Sequence, residues 1–213
     1  MYDTVVFDLD GTLLNTLEDL KNSTNYVMRE FDFPERTLDE VRRFVGNGIM
    51  KLIQRAVPEG TNDDTVKNAF DCFMEHYDKH CMDNTKPYDG ICALMDELKA
   101  KNVKMAIVSN KMDEAVKELN DVFFKEYIDV AIGECKGVRR KPAPDSVNRA
   151  ISELGSDKAH TLYVGDSDVD IATAKNAGID VVSVLWGFRD KDFLIANGGT
   201  RFIDKPSELV RYL

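Results

Sequence analysis

The sequence predicts an α/β protein in which a parallel β-sheet carries helices on both faces and an all-α domain is inserted after the first strand. Two observations indicate this fold. Short, β-branched apolar runs alternate with amphipathic helical patterns, which is typical of parallel sheets built from right-handed crossovers. Between residues 15 and 85 that alternation stops, and the pattern is helical with no convincing strand. We therefore expect a discontinuous α/β core of residues 1–14 and 86–213 and a helical domain of residues 15–85.

Six apolar runs account for the predicted sheet. They lie at residues 4–8, 103–108, 128–132, 161–165, 180–184 and, more briefly, 201–203. Two of the intervening helices have apolar residues at i, i+3, i+4 and i+7, and they cover residues 90–101 and 144–154. Pro144 suits the first turn of the second of these helices, and Gly155 suits its left-handed end.

The helical domain is predicted from capping signals and apolar faces. Thr16 with Asp19, and Thr37 with Glu40, have the spacing of a capping box at a helix start. A third helix is expected after Gly46-Asn47-Gly48. The apolar faces of the first and fourth helices are formed by Leu17, Leu20, Thr24, Val27, Met28 and Phe31, and by Val66, Ala69, Phe70, Phe73 and Tyr77.

The composition and charge of the chain limit which molecules it can bind and where in the cell it is expected. The chain has 213 residues, 43% of them hydrophobic, and a formal net charge of −10, which argues against nucleic acid and anionic membranes as partners. No apolar stretch reaches the roughly 18 residues of a membrane span. The four cysteines lack CxxC spacing, so we expect free thiols and a cytoplasmic location. Composition leaves open whether the protein is a monomer or a dimer.

Carboxylates follow the first strand directly. The segment Val5-Val-Phe-Asp8-Leu-Asp10-Gly11-Thr12 places two acids at the carboxyl end of a predicted buried strand, where open α/β sheets bind ligands. Because unpaired buried charges are costly, a cation or a reacting group is expected there. Taken alone, Asp10-Gly11 has a simpler interpretation as a solvated turn.

Polar residues at other predicted strand ends converge on the same edge. Ser109 and Asn110 follow the second strand of the core, and Asp166, Asp168 and Asp170 follow the strand at residues 161–165. Lys141 lies just before a helix that begins at a proline. Ser167 with Asp170 also has the spacing of a capping box, so Asp170 has a structural interpretation besides a role at a metal. Asp168 is expected to compensate the helix dipole.

These residue types suit phosphoryl transfer. A carboxylate can attack phosphorus once the charge of the phosphate is masked, and Mg²⁺ prefers carboxylates, waters and phosphate oxygens. Asp8, Asp166 and Asp170 are candidate ligands for Mg²⁺. Lys141 and Ser109 supply a fixed charge and a hydrogen bond to the phosphate, while Asp10 can give a proton to the leaving oxygen and later activate water.

The chain resembles the phosphatase branch of the haloacid dehalogenase superfamily. The resemblance lies in Asp8-Leu-Asp10-Gly11-Thr12, Ser109-Asn110, Lys141-Pro142 and Gly165-Asp166-Ser167-Asp168-Val169-Asp170, which occur in the order of the family. It implies a Rossmann-like core with a helical cap. It also implies Asp8 as nucleophile, Asp10 as general acid and base, and Ser109 and Lys141 as phosphoryl-binding residues. The implied metal ligands are the Asp8 side chain, the Asp10 backbone carbonyl and Asp166.

Within that branch the chain is similar to the phosphoglycolate phosphatase group. The segments Phe44-Val-Gly46-Asn47-Gly48-Ile49 and Val184-Leu-Trp186-Gly-Phe-Arg189 carry this similarity, whereas Asn15-Thr16 departs from the Asp-Ser of many members. The group implies hydrolysis of a small phosphate monoester, with 2-phosphoglycolate as the first expectation. The implied substrate-binding residues are Gly11, Thr12, Asn110, Gly46 and Gly48.

Other functions on the same core stay open at this stage. They are an inorganic pyrophosphatase, a nucleotidase, a sugar-phosphate phosphatase and a phosphomutase. A non-catalytic phosphate-binding regulator is the alternative from a different class. We rank it last, because each charged residue of the four motifs is retained.

Overall fold

A computed structural model of the chain describes residues 2–46 and 48–213. Asn47, part of the predicted Gly46–Gly48 segment, lies outside the described residues. The chain divides into two compact units. One consists of Met1–Leu14 with Pro87–Leu213, and the other is Asn15–Lys86, so Lys86 belongs to the second unit. We call them the sheet unit and the helical unit.

The sheet unit is built on six parallel strands in the order β5-β4-β1-β6-β7-β8. The described residues include eight strands, which are β1 (Thr4–Phe7), β2 (Leu14–Asn15), β3 (Lys86–Pro87), β4 (Lys104–Met112), β5 (Val130–Glu134), β6 (Thr161–Gly165), β7 (Asp180–Val184) and β8 (Phe202–Ile203). The six predicted strands are thereby confirmed. The pair β2 and β3 forms a separate two-stranded ribbon where the chain passes between the units.

Nine α-helices lie within the described residues. They are α1 (Leu17–Glu30), α2 (Leu38–Phe44), α3 (Ile49–Ala56), α4 (Asp63–His80), α5 (Ile91–Ala100), α6 (Asp113–Phe123), α7 (Asp145–Glu153), α8 (Asp168–Ala177) and α9 (Lys191–Ala196). Short 3₁₀ helices cover Lys158–His160 and Pro206–Tyr212. None of the described helices has the length and hydropathy that a bilayer-spanning segment requires.

Successive side chains of the central strands pack into two separate apolar layers, one on each face of the sheet. Phe7 and Ile107 belong to one layer, together with Leu94 and Leu98 of α5, while Val6 and Val108 belong to the other. This alternation follows from the two-residue period of a strand, and burial on both faces explains why the central segments of the strands are mostly apolar. β1 lies between β4 and β6, with Phe7 in register with Ile107 and Val164. The carboxyl ends of three strands therefore meet at one edge, next to Asp8.

The helical unit has its own core, formed by α1 to α4. Residues from all four helices share it, among them Val27, Val41, Ile53 and Phe73. The predicted capping box at Thr37 and Glu40 is confirmed, with both reciprocal hydrogen bonds present. The third and fourth predicted helices are present as α3 and α4.

The capping box predicted at Thr16 and Asp19 is wrong. Thr16 lies at the start of α1 but caps it with no side-chain hydrogen bond. Asp19 instead accepts from the Asn84 amide at 2.9 Å, the Thr85 amide at 2.8 Å and the Thr85 hydroxyl at 2.8 Å. Partners distant in sequence thus replace the local one, and the buried carboxylate links the first turn of α1 to the returning chain.

Candidate active site

Asp8 stands at the end of the central strand and is buried. Its amide donates to the Val164 carbonyl at 2.9 Å, which continues the pairing with β6. The chain then turns at Gly11, whose φ of +89° favours glycine. A Cβ there would lie 2.4 Å from Oδ2 of Asp166. Glycine at this turn therefore allows the segment after Asp8 to pack directly against a second carboxylate.

Lys141 reaches the nucleophile candidate from the loop before α7. Its Nζ lies 2.6 Å from Oδ1 of Asp8 and 2.8 Å from Oδ1 of Asp170, and its side chain is 4% exposed. Burial alone would lower the pKa of Lys141, but the charges of Asp170 and Asp8 outweigh it and raise that pKa well above its usual value. The ammonium is therefore a permanent positive charge in the site.

Asn110 holds the backbone of Lys141 in place. The Lys141 amide donates to Oδ1 of Asn110 at 2.8 Å, and Nδ2 of Asn110 donates to the Lys141 carbonyl at 3.0 Å. The sequence predicted Asn110 as a substrate-binding residue. In the structure its side-chain amide forms hydrogen bonds with the backbone of Lys141, so the side chain positions the lysine.

Both carboxylate oxygens of Asp170 accept hydrogen bonds. Oδ1 accepts from Lys141 at 2.8 Å and from the Tyr163 hydroxyl at 3.0 Å. Oδ2 accepts from the Ser167 amide at 3.0 Å and the Ser167 hydroxyl at 2.6 Å, which confirms the predicted capping box of α8. A carboxylate offers about four lone-pair positions, and here four donors use them.

Asp166 is packed between two glycine-containing turns. The Phe188 amide donates to its Oδ2 at 2.6 Å, and a Cβ on Gly187 would lie 2.3 Å from the Asp166 Cβ. Asp168, the third predicted acid of this segment, lies in the first turn of α8 and forms a 3.8 Å ion pair with Arg189.

The three buried acids form a cluster suited to a cation. Ligand oxygens of Asp8, Asp166 and Asp170 lie within 4.8 Å of one another. Burial, and then the charge of Asp170, raises the pKa of Asp166 to about 7 and that of Asp8 well above its usual value. One lysine faces three carboxylates, so a divalent cation would relieve the remaining negative charge. The donor set, all carboxylate oxygen, fits a hard metal ion.

Ser109 and Thr12 contribute hydroxyls at neighbouring strand ends. Ser109 is buried, and its Oγ accepts from the Lys111 amide at 3.1 Å. Thr12 is also buried, and its Oγ1 has no partner among the described residues. The backbone carbonyl of Thr12 accepts from Nε1 of Trp186 at 3.0 Å, which fixes the turn that carries Gly11.

Asp10 occupies the more open side of this edge. Its side chain is 22% exposed, and its Oδ1 lies 3.5 Å from Nζ of Lys111. Asp10 also forms an isolated parallel bridge with Leu14. The two acids of the Asp8-Leu-Asp10 motif thus have separate cationic partners, Lys141 for the first and Lys111 for the second.

Gly46 and Gly48, the predicted substrate-binding glycines, belong to the helical unit. Their φ angles of +122° and +84° lie in the region that favours glycine, and Gly48 is the residue before α3. Nearby, Arg55 of α3 donates to the Phe44 carbonyl at 2.6 Å. The φ angles at these two positions therefore explain why the sequence has glycine there.

Sequence reasoning missed three contributors to the site. Tyr163 lies within a run of apolar residues and did not stand out as polar, and Gly187 belongs to a segment that carried the family similarity but was given no role in the site. Lys111 directly follows the Ser109-Asn110 motif, and its position at a strand end was an available signal. The Tyr163 hydroxyl, which accepts from Lys141 at 3.1 Å and donates to Asp170, completes the buried network.

Comparison with known proteins identifies the family. The family model for haloacid dehalogenase-like hydrolases matches residues 5–184. A phosphoglycolate phosphatase of Aquifex aeolicus is 30% identical, with 98% of this chain and 95% of that protein covered. A phosphoglycolate phosphatase of Rhodobacter capsulatus is 32% identical over 89% of this chain and 87% of its own length.

Solved structures agree with these relatives. A candidate phosphoglycolate phosphatase from Lactobacillus delbrueckii has a TM-score of 0.94 and 34% identity, covering 99% of this chain and 98% of its own. A protein from Haemophilus somnus, predicted to be a phosphoglycolate phosphatase, has a TM-score of 0.89 at 26% identity, covering 99% and 97% of the two chains. The chain therefore belongs to the haloacid dehalogenase-like hydrolase family and is a phosphatase.

Proposed function

We propose that the protein is a Mg²⁺-dependent phosphatase that hydrolyses 2-phosphoglycolate through an aspartyl-phosphate on Asp8. The observation that carries this proposal is the buried cluster in which Lys141 bridges Asp8 and Asp170 beside Asp166. It supplies a nucleophile, a fixed positive charge and a set of metal ligands at the edge where three strands end.

Asp8 performs the first step. Its carboxylate oxygen attacks phosphorus, the bond from phosphorus to the ester oxygen breaks, and the phosphoryl group is transferred to Asp8. Lys141 and Ser109 hold the phosphoryl oxygens and stabilise the negative charge that they carry in the transition state. The rigid position of Lys141, fixed by Asn110 and Asp170, means that little reorganisation is needed during transfer.

Asp10 performs the proton transfers. As the ester bond breaks, its carboxylic acid gives a proton to the leaving oxygen. In the second step the same carboxylate takes a proton from water, which attacks phosphorus and breaks the bond to Asp8. Inorganic phosphate leaves, and both carboxylates return to their starting states. The partial exposure of Asp10 suits a residue that must meet both an alcohol and a water.

Mg²⁺ would be held by the Asp8 side chain, the Asp10 backbone carbonyl and Asp166. When bound, it neutralises charge on the phosphate and on the two buried carboxylates. The raised pKa values of Asp8 and Asp166 support this assignment, because burial, and then the charge of Asp170, disfavours the ionised carboxylates that a bound cation would stabilise.

We assign Asp170 to the support of Lys141 instead of direct metal binding. Its two oxygens already accept from Lys141, Tyr163 and the amide and hydroxyl of Ser167. Such partners orient the groups that do the chemistry. This refines the sequence-based set of candidate ligands, in which Asp170 stood beside Asp8, Asp10 and Asp166.

The substrate assignment rests on the relatives, several of which are named phosphoglycolate phosphatase at about 30% identity. We place the enzyme in the cytoplasm. The four cysteines, Cys72, Cys81, Cys92 and Cys135, are all free thiols, as a reducing compartment would keep them.

A substrate panel tests the proposal. Phosphate release is measured with and without Mg²⁺ on 2-phosphoglycolate, pyrophosphate, nucleotides, hexose phosphates and p-nitrophenyl phosphate, with the Asp8→Asn variant as the matched control. We expect release by the wild type only, dependent on Mg²⁺ and highest for 2-phosphoglycolate. Equal release by Asp8→Asn would overturn the nucleophile, activity unaffected by EDTA would overturn the metal, and a different preferred phosphate would overturn the substrate.

A further inference from the structure

Lys111 is a second lysine at the edge of the sheet, and the mechanism above gives it no role. It follows Ser109 and Asn110 on β4, its side chain is 12% exposed, and its Nζ lies 3.5 Å from Oδ1 of Asp10. Burying most of a lysine side chain is unusual unless its charge is used. The residue therefore calls for an explanation beyond solvation.

The two lysines of the site lie beside different acids. The Lys141 ammonium faces Asp8 and Asp170, so its charge serves the end of the site where phosphorus is attacked. The Lys111 ammonium accompanies Asp10, the residue that protonates the leaving oxygen. Its charge is therefore placed at the opposite end of the reacting bond.

Other cations of this region are paired elsewhere. Arg139 and Arg140, which directly precede Lys141, form ion pairs with Asp145 at 2.8 Å and with Glu134 at 3.1 Å. Both arginine side chains are exposed, unlike that of Lys111. Among these cations, Lys111 alone accompanies the proton donor.

We infer that Lys111 is a specificity-determining residue that selects phosphate monoesters whose leaving group carries a negative charge close to the ester oxygen. This inference rests on the proposed function, because it takes Asp10 as the proton donor. A leaving oxygen about 3 Å from Oδ1 of Asp10 lies no more than about 6.5 Å from Nζ of Lys111, given the 3.5 Å ion pair between Oδ1 and Nζ. In 2-phosphoglycolate a single methylene carbon separates the ester oxygen from the carboxylate, so that carboxylate lies within reach of the ammonium.

A purely structural role for Lys111 would have a different signature. If the ammonium served only to orient Asp10, its loss would slow proton transfer to every leaving group alike. A charge that binds the leaving group affects only substrates that carry the matching anion. The backbone amide of residue 111, which donates to Oγ of Ser109 at 3.1 Å, is retained when Lys111 is replaced by methionine or arginine, so Ser109 keeps that contact.

The test compares 2-phosphoglycolate with its neutral amide, 2-phosphoglycolamide, as substrates of the wild type, Lys111→Met and Lys111→Arg. Lys101→Met serves as the matched control, because Lys101 is a surface lysine at 49% exposure paired with Glu97. We expect Lys111→Met to raise KM for 2-phosphoglycolate about 10- to 100-fold, as the loss of a charge-assisted hydrogen bond predicts. KM for the amide should change less than about threefold, and Lys111→Arg should restore part of the preference.

Equal losses on the acid and the amide would overturn the inference and leave Lys111 as a positioning residue. A fall in kcat with KM unchanged for both substrates would overturn it in the same way. Equilibrium binding of both compounds to Asp8→Asn, with and without Lys111→Met, measures the same preference in the absence of turnover. If the wild type releases no phosphate, the proposed function fails, and this binding comparison still decides whether Lys111 recognises the carboxylate.

Discussion

Asp19 in the helical unit and the pair Asp8 and Asp166 in the sheet unit are all buried carboxylates, yet their surroundings differ in kind. Asp19 accepts hydrogen bonds from neutral amide and hydroxyl groups of Asn84 and Thr85. Asp8 and Asp166 lie beside another carboxylate, and their pKa values are raised. A buried carboxylate that accepts hydrogen bonds from neutral donors needs no further partner. Buried carboxylates that lie close together repel one another, and such groups are typical of sites that bind a cation or react. The comparison separates a structural aspartate from functional ones.

The largest expected effect is the loss of turnover in Asp8→Asn. The amide cannot form an acyl phosphate, so phosphate release should fall at least about 1,000-fold. Because burial makes the charge of Asp8 costly, the free energy of unfolding should stay the same or increase. Urea unfolding beside the activity assay checks both parts. A marked loss of stability would place Asp8 with Asp19 as a structural residue.

The second largest effect is expected for Lys141→Ala. Its kcat should fall at least about 100-fold, because the variant lacks the positive charge that stabilises the phosphoryl group. Tyr163→Phe is the matched control, because it removes a hydroxyl from the same network and leaves the ammonium in place. We expect the tyrosine variant to lose less than about tenfold. Steady-state kinetics on one substrate are sufficient, and equal losses in the two variants would show that the network matters more than the charge.

Asp19→Ala should destabilise the protein by about 1–3 kcal/mol, because the buried amide and hydroxyl of Thr85 lose their acceptor. Thr16→Ala is its matched control. A capping threonine would cost about 1 kcal/mol on removal. Thr16 makes no capping bond, and its buried Oγ1 has no hydrogen-bond partner among the described residues. Removal of that hydroxyl should offset the loss of the buried methyl group, so Thr16→Ala should cost less than about 0.5 kcal/mol. Urea unfolding measures the free energy of unfolding of both variants. A loss of about 1 kcal/mol or more in Thr16→Ala would support the capping role that the sequence predicted for Thr16.

The smallest effect concerns pH and metal. Mg²⁺ needs Asp166 deprotonated, and the pKa of this residue is about 7 in the metal-free protein. Because this pKa is raised, a proton competes with Mg²⁺ for Asp166 below pH 7. Protonation of Asp166 alone should lower the Mg²⁺ affinity up to about tenfold for each pH unit below that value. Calorimetric titration between pH 5.5 and 8 measures this slope. The Asp166→Asn variant should bind Mg²⁺ weakly over the whole pH range. A wild-type Mg²⁺ affinity that does not change with pH would show that Asp166 is not a ligand.

The sheet could be predicted because its signal is local. Each core strand is a short apolar run buried on both faces, and six of them were read directly from the sequence. The motif residues could be placed together by topology, since parallel strands share one carboxyl edge. Their convergence on Lys141 follows from that rule and from the position of β1 between β4 and β6.

Contacts made across the chain could not be predicted in this way. Thr16 and Asp19 have the spacing of a capping box, but the donors that Asp19 uses lie more than 60 residues away in the sequence. Tyr163 is indistinguishable from a core residue until its hydroxyl is placed beside Asp170. The hydrogen bonds between the Asn110 side chain and the backbone of Lys141 are a third such contact, because these two residues lie 31 positions apart in the sequence.

The position of β1 in the middle of the sheet also bears on synthesis. Asp8 leaves the ribosome early, but the neighbours of its strand, β4 and β6, are translated only after the whole helical unit. That unit is one continuous segment and can fold as soon as it emerges, since domains generally fold as units from the amino terminus. The strand that leads to Asp8, the proposed nucleophile, must stay unpaired until β4 and then β6 are synthesised. The nascent chain therefore acquires a folded helical unit first, and its catalytic edge is among the last parts to be assembled.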